Sequence, residues 1–176
     1  MEDVRDIMSL NFKSSKDHIF LIGKVVEDIS SSEYLVKYHK VEASPAPYFD
    51  LDEEFKLHEC VSNLIDQKLI NAAHDCADGG LFVSIVEMAM ASNFGCEIST
   101  NKTIRKDAFL FGESQGRVVV TVKNDQLESF KDIIDLSGVP YVSLGRVVSS
   151  ANIVVDDVNF GSVDSLKEIS ENVIKL

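Results

Sequence analysis

The hydrophobic and polar positions along the chain predict an alternation of helices and strands. The clearest helix is expected at residues 52–70, where apolar side chains recur at the i, i+3, i+4, i+7 and i+8 spacing of one helical face: Leu57, Cys60, Val61, Leu64 and Ile65. Asp50 or Asp52 is placed to cap its first turn. The serine-rich stretch at 27–48 is expected to be a loop, because Pro45 and Pro47 are incompatible with a helix there.

Apolar runs without helical spacing predict the strands. Residues 18–26 are apolar on both faces, and residues 117–122 form a β-branched run. Shorter strands are expected at 70–73, 142–148 and 152–155. Because several strands lie too close together for a chain of βαβ units, the predicted fold class is α+β, with a mixed or antiparallel sheet and helices packed on it.

Three further helices complete the predicted pattern. One covers residues 80–92, and another covers 125–136 and buries Leu127, Phe130, Ile133 and Ile134. The last begins near Asp164, where Ser165 and Glu168 have the spacing of a capping box. Its predicted apolar face consists of Leu166, Ile169 and Val173.

Length and charge narrow the class of protein. The 176 residues suffice for about one domain, predicted at 17–176 after a linker at 1–16. With 17 basic and 29 acidic residues the net charge is −12, which disfavours a nucleic-acid partner but permits a phosphate pocket made of backbone N–H groups. No apolar run is long enough for a membrane span or a signal peptide, so no membrane partner is expected.

The number and spacing of the cysteines indicate a reducing cellular compartment. Cys60, Cys76 and Cys96 are odd in number and widely spaced. This pattern argues against a disulfide framework or a structural zinc site, and it predicts a cytoplasmic protein.

The first segment that could carry chemistry is His74-Asp75-Cys76-Ala77-Asp78-Gly79-Gly80. It follows a predicted strand and opens a helix, where free N–H groups favour an anion, and two glycines would let a phosphate approach. Two carboxylates in four residues could share Mg²⁺ with phosphate oxygens. A plain tight turn with Asp78 as the helix cap explains the same residues and is the commoner arrangement.

The second segment is Glu113-Ser114-Gln115-Gly116-Arg117, placed directly before the β-branched strand. Serine and glutamine offer donors and acceptors to a ligand, and the Arg117 fork can hold a phosphate or a carboxylate. An exposed loop with Arg117 in a surface ion pair is the alternative interpretation.

Together these segments resemble a known family. The stretch 70–81, Glu87-Met88-Ala89 in the following helix and the stretch 110–117 are similar to the last domain of the synthetase subunit of phosphoribosylformylglycinamidine synthases. Ser32-Glu33-Tyr34-Leu35 also resembles a segment of these enzymes, with serine where glycine is usual. The resemblance covers residues 17–175 and extends to the C-terminal domain shared with aminoimidazole ribonucleotide synthetases.

The resemblance implies a fold and an activity. The synthetase subunit alternates two ATP-binding domains with two copies of the present domain. It amidates formylglycinamide ribonucleotide in de novo purine synthesis, with ATP, Mg²⁺ and ammonia from glutamine. The Glu-Ser-Gln triplet is typical of the small type, whose partners are separate glutaminase and small bridging subunits. The expected partners are therefore these subunits, the remaining domains of the same chain and a small nucleotide substrate.

The resemblance also implies roles for particular residues. Asp75 aligns with a metal-binding aspartate, while the expected substrate- or nucleotide-phosphate site consists of Asp78, Gly79, Gly80, Glu113, Ser114, Gln115 and Arg117. The residues 74–80 mark the second copy of the domain, so no catalytic residue is expected here and the chain should be inactive alone. Two alternatives remain: a non-catalytic binding or scaffold module, and the corresponding domain of another ATP-dependent synthetase.

Overall fold

The structure, a computed structural model, describes residues 7–173 except for the side chain of Val173. Helices separate most of the strands, but the last three strands follow one another directly. The strands in this range are β1 (His18–Ile22), β2 (Ala72–Asp75), β3 (Gly95–Ile98), β4 (Val118–Val122), β5 (Tyr141–Val148), β6 (Asn152–Val155) and β7 (Val158–Ser162). The α-helices are α1 (Leu51–Asp66), α2 (Gly80–Met90), α3 (Lys106–Phe111), α4 (Leu127–Ser137) and α5 (Val163–Val173). A single π-helical turn covers Tyr34–Tyr38, and a 3₁₀ turn covers Asn124–Gln126.

The described strands form one mixed sheet in the order β2-β4-β1-β5-β3-β6-β7. All neighbouring strands are antiparallel except β3 and β6, which run parallel. The predicted α+β class with a mixed sheet is therefore confirmed. β2 lies at one edge, so the segment that follows it is open on one side.

Two hydrophobic cores cover the two faces of the sheet. One contains buried side chains of α2, α3 and α5, and the other contains those of α1 and α4. In β1, Ile19 and Leu21 belong to the first core, whereas Phe20 and Ile22 belong to the second. The prediction of a strand buried on both faces is confirmed, although the strand ends at Ile22 rather than Val26.

The principal predicted elements are present, with boundaries shifted by a few residues. Four elements were not predicted: β3, α3, β7 and the π-helical turn Tyr34–Tyr38, which lies inside the stretch 27–48 that was expected to be a loop. Pro45 and Pro47 follow this turn, so they do not prevent it. β3 and α3 have only four and six residues, too few to display a period. β7 pairs with β6 through a turn at Asp156 and Asp157, whose positive φ values of 49° and 65° are unusual for non-glycine residues.

The helix caps confirm one prediction and correct another. The Asp50 side chain accepts hydrogen bonds from the amides of Asp52 and Glu53, at 3.0 and 2.9 Å, so it caps α1 as expected. The predicted capping box of Ser165 and Glu168 is wrong by one turn, because α5 already begins at Val163. Ser162 is the residue in the cap position, and its Oγ accepts from the Ser165 amide at 3.1 Å.

Residues 7–16, the described part of the predicted linker, lie against the domain. Phe12 is 1% exposed within the first core, and its amide donates to the Met88 carbonyl at 3.2 Å. The boundary at residue 17 stays a prediction, and residues 1–6 and 174–176 lie outside the described range. Within residues 7–173, no helix combines the length and apolarity needed to cross a bilayer.

Candidate functional site

The segment between β2 and α2 forms a tight turn whose glycines contact neighbouring backbone. Gly79 and Gly80 have φ values of 84° and 66°, in the left-handed region. A Cβ on Gly80 would meet the Gly112 carbonyl oxygen at 2.5 Å and the Leu110 carbonyl oxygen at 2.9 Å. The Gly80 amide donates to the Ala77 carbonyl at 2.9 Å. Gly80 thus allows the start of α2 to pack against the end of α3.

The carboxylate at the start of α2 belongs to Glu113. Its Oε1 accepts from the Gly79 amide at 2.8 Å and from the Glu33 amide, also at 2.8 Å. The alternative prediction that Asp78 caps this helix is wrong, because the cap position is occupied by Gly79. Glu113 and the Ser32-Glu33-Tyr34-Leu35 segment therefore meet at the turn, although 80 residues separate them.

Arg117 and Ser114 are buried. Arg117 is 3% exposed, and its guanidinium donates to the Ser114 carbonyl at 3.1 Å and to the Gly112 carbonyl at 2.5 Å. Ser114 is 2% exposed. The expected alternative of a surface ion pair for Arg117 is wrong, and burial lowers the pKa of its guanidinium. The arginine folds the Glu-Ser-Gln loop back over the start of β4.

His74 and Cys76 are the two other potentially reactive side chains of the turn. His74 Nε2 lies 2.7 Å from the Glu87 carboxylate, and its Nδ1 lies 3.3 Å from Asp75 Oδ1. Burial raises the pKa of the Cys76 thiol, which disfavours the nucleophilic thiolate. Ser84 Oγ donates to the Asp75 carbonyl at 3.0 Å and so joins α2 to the end of β2.

Five of the eight predicted site residues line a single cleft of about 410 Å³: Asp75, Asp78, Glu113, Gln115 and Arg117. Gly79, Gly80 and Ser114 do not line it, and Gly80 and Ser114 are buried. α1 contributes further lining residues, among them Glu54 and His58, whose side chains form a pair at 3.0 Å. Sequence reasoning missed these two residues, because an exposed helical face more than fifteen positions away carries no motif.

The cleft contains hard oxygen donors of the kind that Mg²⁺ uses. Asp75 has a side chain that is 76% exposed, so its carboxylate is accessible from the cleft. Among the described residues, no group of three or more His, Cys, Asp or Glu side chains is arranged to hold a metal.

A smaller cavity of about 210 Å³ adjoins the cleft across Gln115 and Gly116. Lys24 Nζ lies 2.9 Å from both the Tyr48 hydroxyl and Glu53 Oε1 at its edge. Large apolar side chains are exposed in and beside the N-terminal part of α1: Phe49 (53%), Leu51 (69%) and Phe55 (62%).

The sequence of this chain matches a known domain family. The family described as "AIR synthase related protein, C-terminal domain" matches residues 16–158, most of the chain. The chain belongs to this family. The resemblance deduced from the residues at 70–81 and 110–117 is thereby confirmed.

Individual proteins similar to this chain include PurL subunits. Phosphoribosylformylglycinamidine synthase subunit PurL of Alkaliphilus metalliredigens is 34% identical, over 96% of this chain and 23% of its own length. The same subunit of Caldanaerobacter subterraneus is 38% identical, over 89% of this chain and 21% of its own length. The solved structure of T. maritima PurL complexed with FGAR superposes with a TM-score of 0.78 at 15% identity, covering 93% of this chain and 30% of that protein. T. maritima PurL has also been solved with ATP, with ADP and as PurLQS. The chain therefore spans about a quarter of the length of the curated relatives it matches.

Proposed function

We propose that this chain is the C-terminal, second-copy domain of the synthetase subunit of a small-type phosphoribosylformylglycinamidine synthase. The complete enzyme would be a ligase that forms a C–N bond in formylglycinamide ribonucleotide during purine synthesis, with ATP and Mg²⁺. The observation that carries the proposal is the match to PurL subunits over 96% and 89% of this chain, together with the small share of their length that it spans. A piece of this size would be inactive by itself.

The proposed role of the domain is to form one wall of a substrate- or nucleotide-phosphate site. The cleft that contains Asp78, Glu113, Gln115 and Arg117 supports this, since it combines one buried guanidinium with several polar side chains. Asp75 would hold Mg²⁺, and the ion would neutralise phosphate charge when bound. The contribution of these residues is positioning and charge neutralisation, and none of them is assigned a covalent step.

Other domains would complete the site. The exposed side chains of Phe49, Leu51 and Phe55 lie close to the cleft and form the kind of apolar area that proteins cover with a partner. In the proposed enzyme, the remaining domains of the same subunit would pack there, and the glutaminase and small bridging subunits would bind the whole assembly. The three unpaired cysteines agree with a cytoplasmic enzyme.

Calorimetric titration of the purified chain with Mg·ADP tests the nucleotide role. We expect weak but measurable binding that is lost in Asp75→Asn and retained in the control Asp66→Asn, an exposed aspartate at the end of α1. Equal affinity of both variants would remove Asp75 from the site. Assays with formylglycinamide ribonucleotide, ATP and ammonia should give no product, and turnover by the chain alone would contradict the proposal.

One observation favours a second candidate, a non-catalytic binding or scaffold module. The two glycine amides of the turn already have acceptors within the protein, Glu113 and the Ala77 carbonyl. Absence of Mg·ADP binding both to the chain and to a longer protein that contains it would support this candidate. Binding of another synthetase's substrate would instead assign the domain to a different ATP-dependent synthetase.

A further inference from the structure

A separate cavity of about 480 Å³ lies between β1, β5 and α4, and it shares no lining residue with the cleft. Its volume falls in the range of roughly 300–1,000 Å³ that small-molecule sites occupy. Phe20 and Tyr141 contribute aromatic rings, with centroids 5.9 Å apart. His18, Lys131 and Arg146 contribute N–H groups. Apolar rings with a few polar groups directed at the same space are the usual composition of a ligand site.

A β-bulge in β5 places Arg146 at this cavity. Ser143 of β5 lies opposite Phe20 of β1. Arg146 lies opposite His18, so three steps along β5 correspond to two steps along β1. Strict alternation would put Ser143 and Arg146 on opposite faces of the sheet, but the extra residue puts both on the face that α4 covers. Bulges that redirect a side chain in this way are frequent beside functional sites.

The charge of this cavity is opposite to that of the whole chain. The chain has a net charge of −12, and the cleft has carboxylates in its lining, yet none of the described residues that line this cavity is acidic. The Arg146 side chain forms no hydrogen bond or ion pair with the described residues 7–173, although the exposed Glu97 lies opposite it on β3. Lys131 Nζ lies 3.6 Å from Glu128, whose side chain is 88% exposed, so this pair contributes little. Both cations are therefore available to an external anion.

We propose that this cavity binds a small molecule that combines a phosphate monoester with a flat ring. A phosphate monoester carries a charge of about −1.5 to −2 at pH 7, which Arg146 and Lys131 together match. The Arg146 guanidinium can hold two phosphate oxygens at once, and the Ser143 hydroxyl adds a donor. The ring of the ligand would pack against the half-buried ring of Tyr141. The site is independent of the nucleotide role proposed for the cleft.

Titration of the purified chain with phenyl phosphate, followed at backbone amide resonances by NMR, tests the site. We expect the Ser143 and Gly145 amides to shift, because both residues line the cavity. Arg146→Gln should weaken binding about tenfold or more, since the charge-assisted bonds of the guanidinium are lost. Arg105→Gln removes the same charge from an exposed arginine outside the cavity, so it is the matched control and should leave the affinity unchanged. Unchanged affinity in Arg146→Gln, or shifts confined to the Gly116 amide of the cleft, would overturn the site.

Two simpler ligands separate the contributions of the phosphate and the ring. Inorganic phosphate should bind about tenfold more weakly than phenyl phosphate, because it makes no ring contact. Phenol, which has no anionic group, should shift neither amide at the same concentrations. Tyr141→Leu should weaken the binding of phenyl phosphate and leave that of inorganic phosphate unchanged.

Each part of the proposal has its own contrary result. Equal affinity for phenyl phosphate and inorganic phosphate would overturn the requirement for a ring. Binding of phenol as tight as that of phenyl phosphate would overturn the requirement for a phosphate. Absence of phenyl phosphate binding would overturn the site as a whole, whatever the result with Mg·ADP, which tests only the cleft.

Discussion

Replacing Gly80 by alanine tests whether this glycine serves packing rather than ligand approach. The substitution has two costs in the structure. A left-handed residue with a Cβ costs about 1–2 kcal/mol, and the overlap with the Gly112 and Leu110 carbonyl oxygens adds about 1–3 kcal/mol, typical of overpacking. The neighbouring atoms are backbone, so they cannot move aside by changing a rotamer.

Gly138 provides the matched control. It has a φ of 68°, against 66° for Gly80, and a Cβ there would meet nothing within 4 Å. Gly138→Ala therefore carries the same conformational cost and the same restriction of the unfolded chain, without the overlap. Gly80→Ala should lose about 1–3 kcal/mol more stability than Gly138→Ala.

Urea unfolding followed by circular dichroism, without any nucleotide, measures both variants. The difference should appear as a lower midpoint for Gly80→Ala with an unchanged slope. Equal losses in the two variants would refute the packing argument. The left-handed φ of Gly80 would then by itself account for the glycine.

Three other properties follow from individual contacts. Asp50→Ala should cost about 1 kcal/mol in urea unfolding, because the amides of Asp52 and Glu53 lose their shared acceptor. The hydrogen bond from Lys106, followed by that from the Thr100 amide, lowers the pKa of Asp156 to about 2. The stability that this carboxylate contributes is present above its unfolded pKa of about 3.9 and lost as pH falls towards 2. Asp156→Asn should consequently flatten the pH dependence of unfolding in that window, and an unchanged profile would contradict this. All three cysteines are free, with two of them buried, so thiol labelling at pH 8 should be much slower in the native than in the urea-unfolded chain.

Periodicity predicted the elements that are long enough to show a period. The apolar face of α1 and the doubly buried β1 could be deduced, because each has a pattern that packing preserves. β3 and α3 could not, since a strand of four residues and a helix of six have too few positions for a repeat. Their stability comes from contacts remote in sequence, such as the pairing of Cys96 with Ile153 and the burial of Phe109.

The sequence brings together residues that lie close in the structure, but it does not predict their contacts; their roles stay predictions. The two motifs and the family resemblance together selected eight residues, and five of them line one cleft. No pattern in the sequence indicated that the remaining three would not line that cleft, or that α1 would supply Glu54 and His58. These contacts depend on how α1 packs over the sheet, which no local pattern encodes.

Arg117 explains why the two motifs form one unit. Its guanidinium binds the Gly112 and Ser114 carbonyls, and these two residues flank Glu113. Its own carbonyl accepts from the Cys76 amide at 2.9 Å, directly after β2. The Arg117 guanidinium holds the loop that carries Glu113, and the Arg117 carbonyl holds the strand end that leads to Gly79. Because one residue fixes both segments, the Glu113 carboxylate reaches the Gly79 amide.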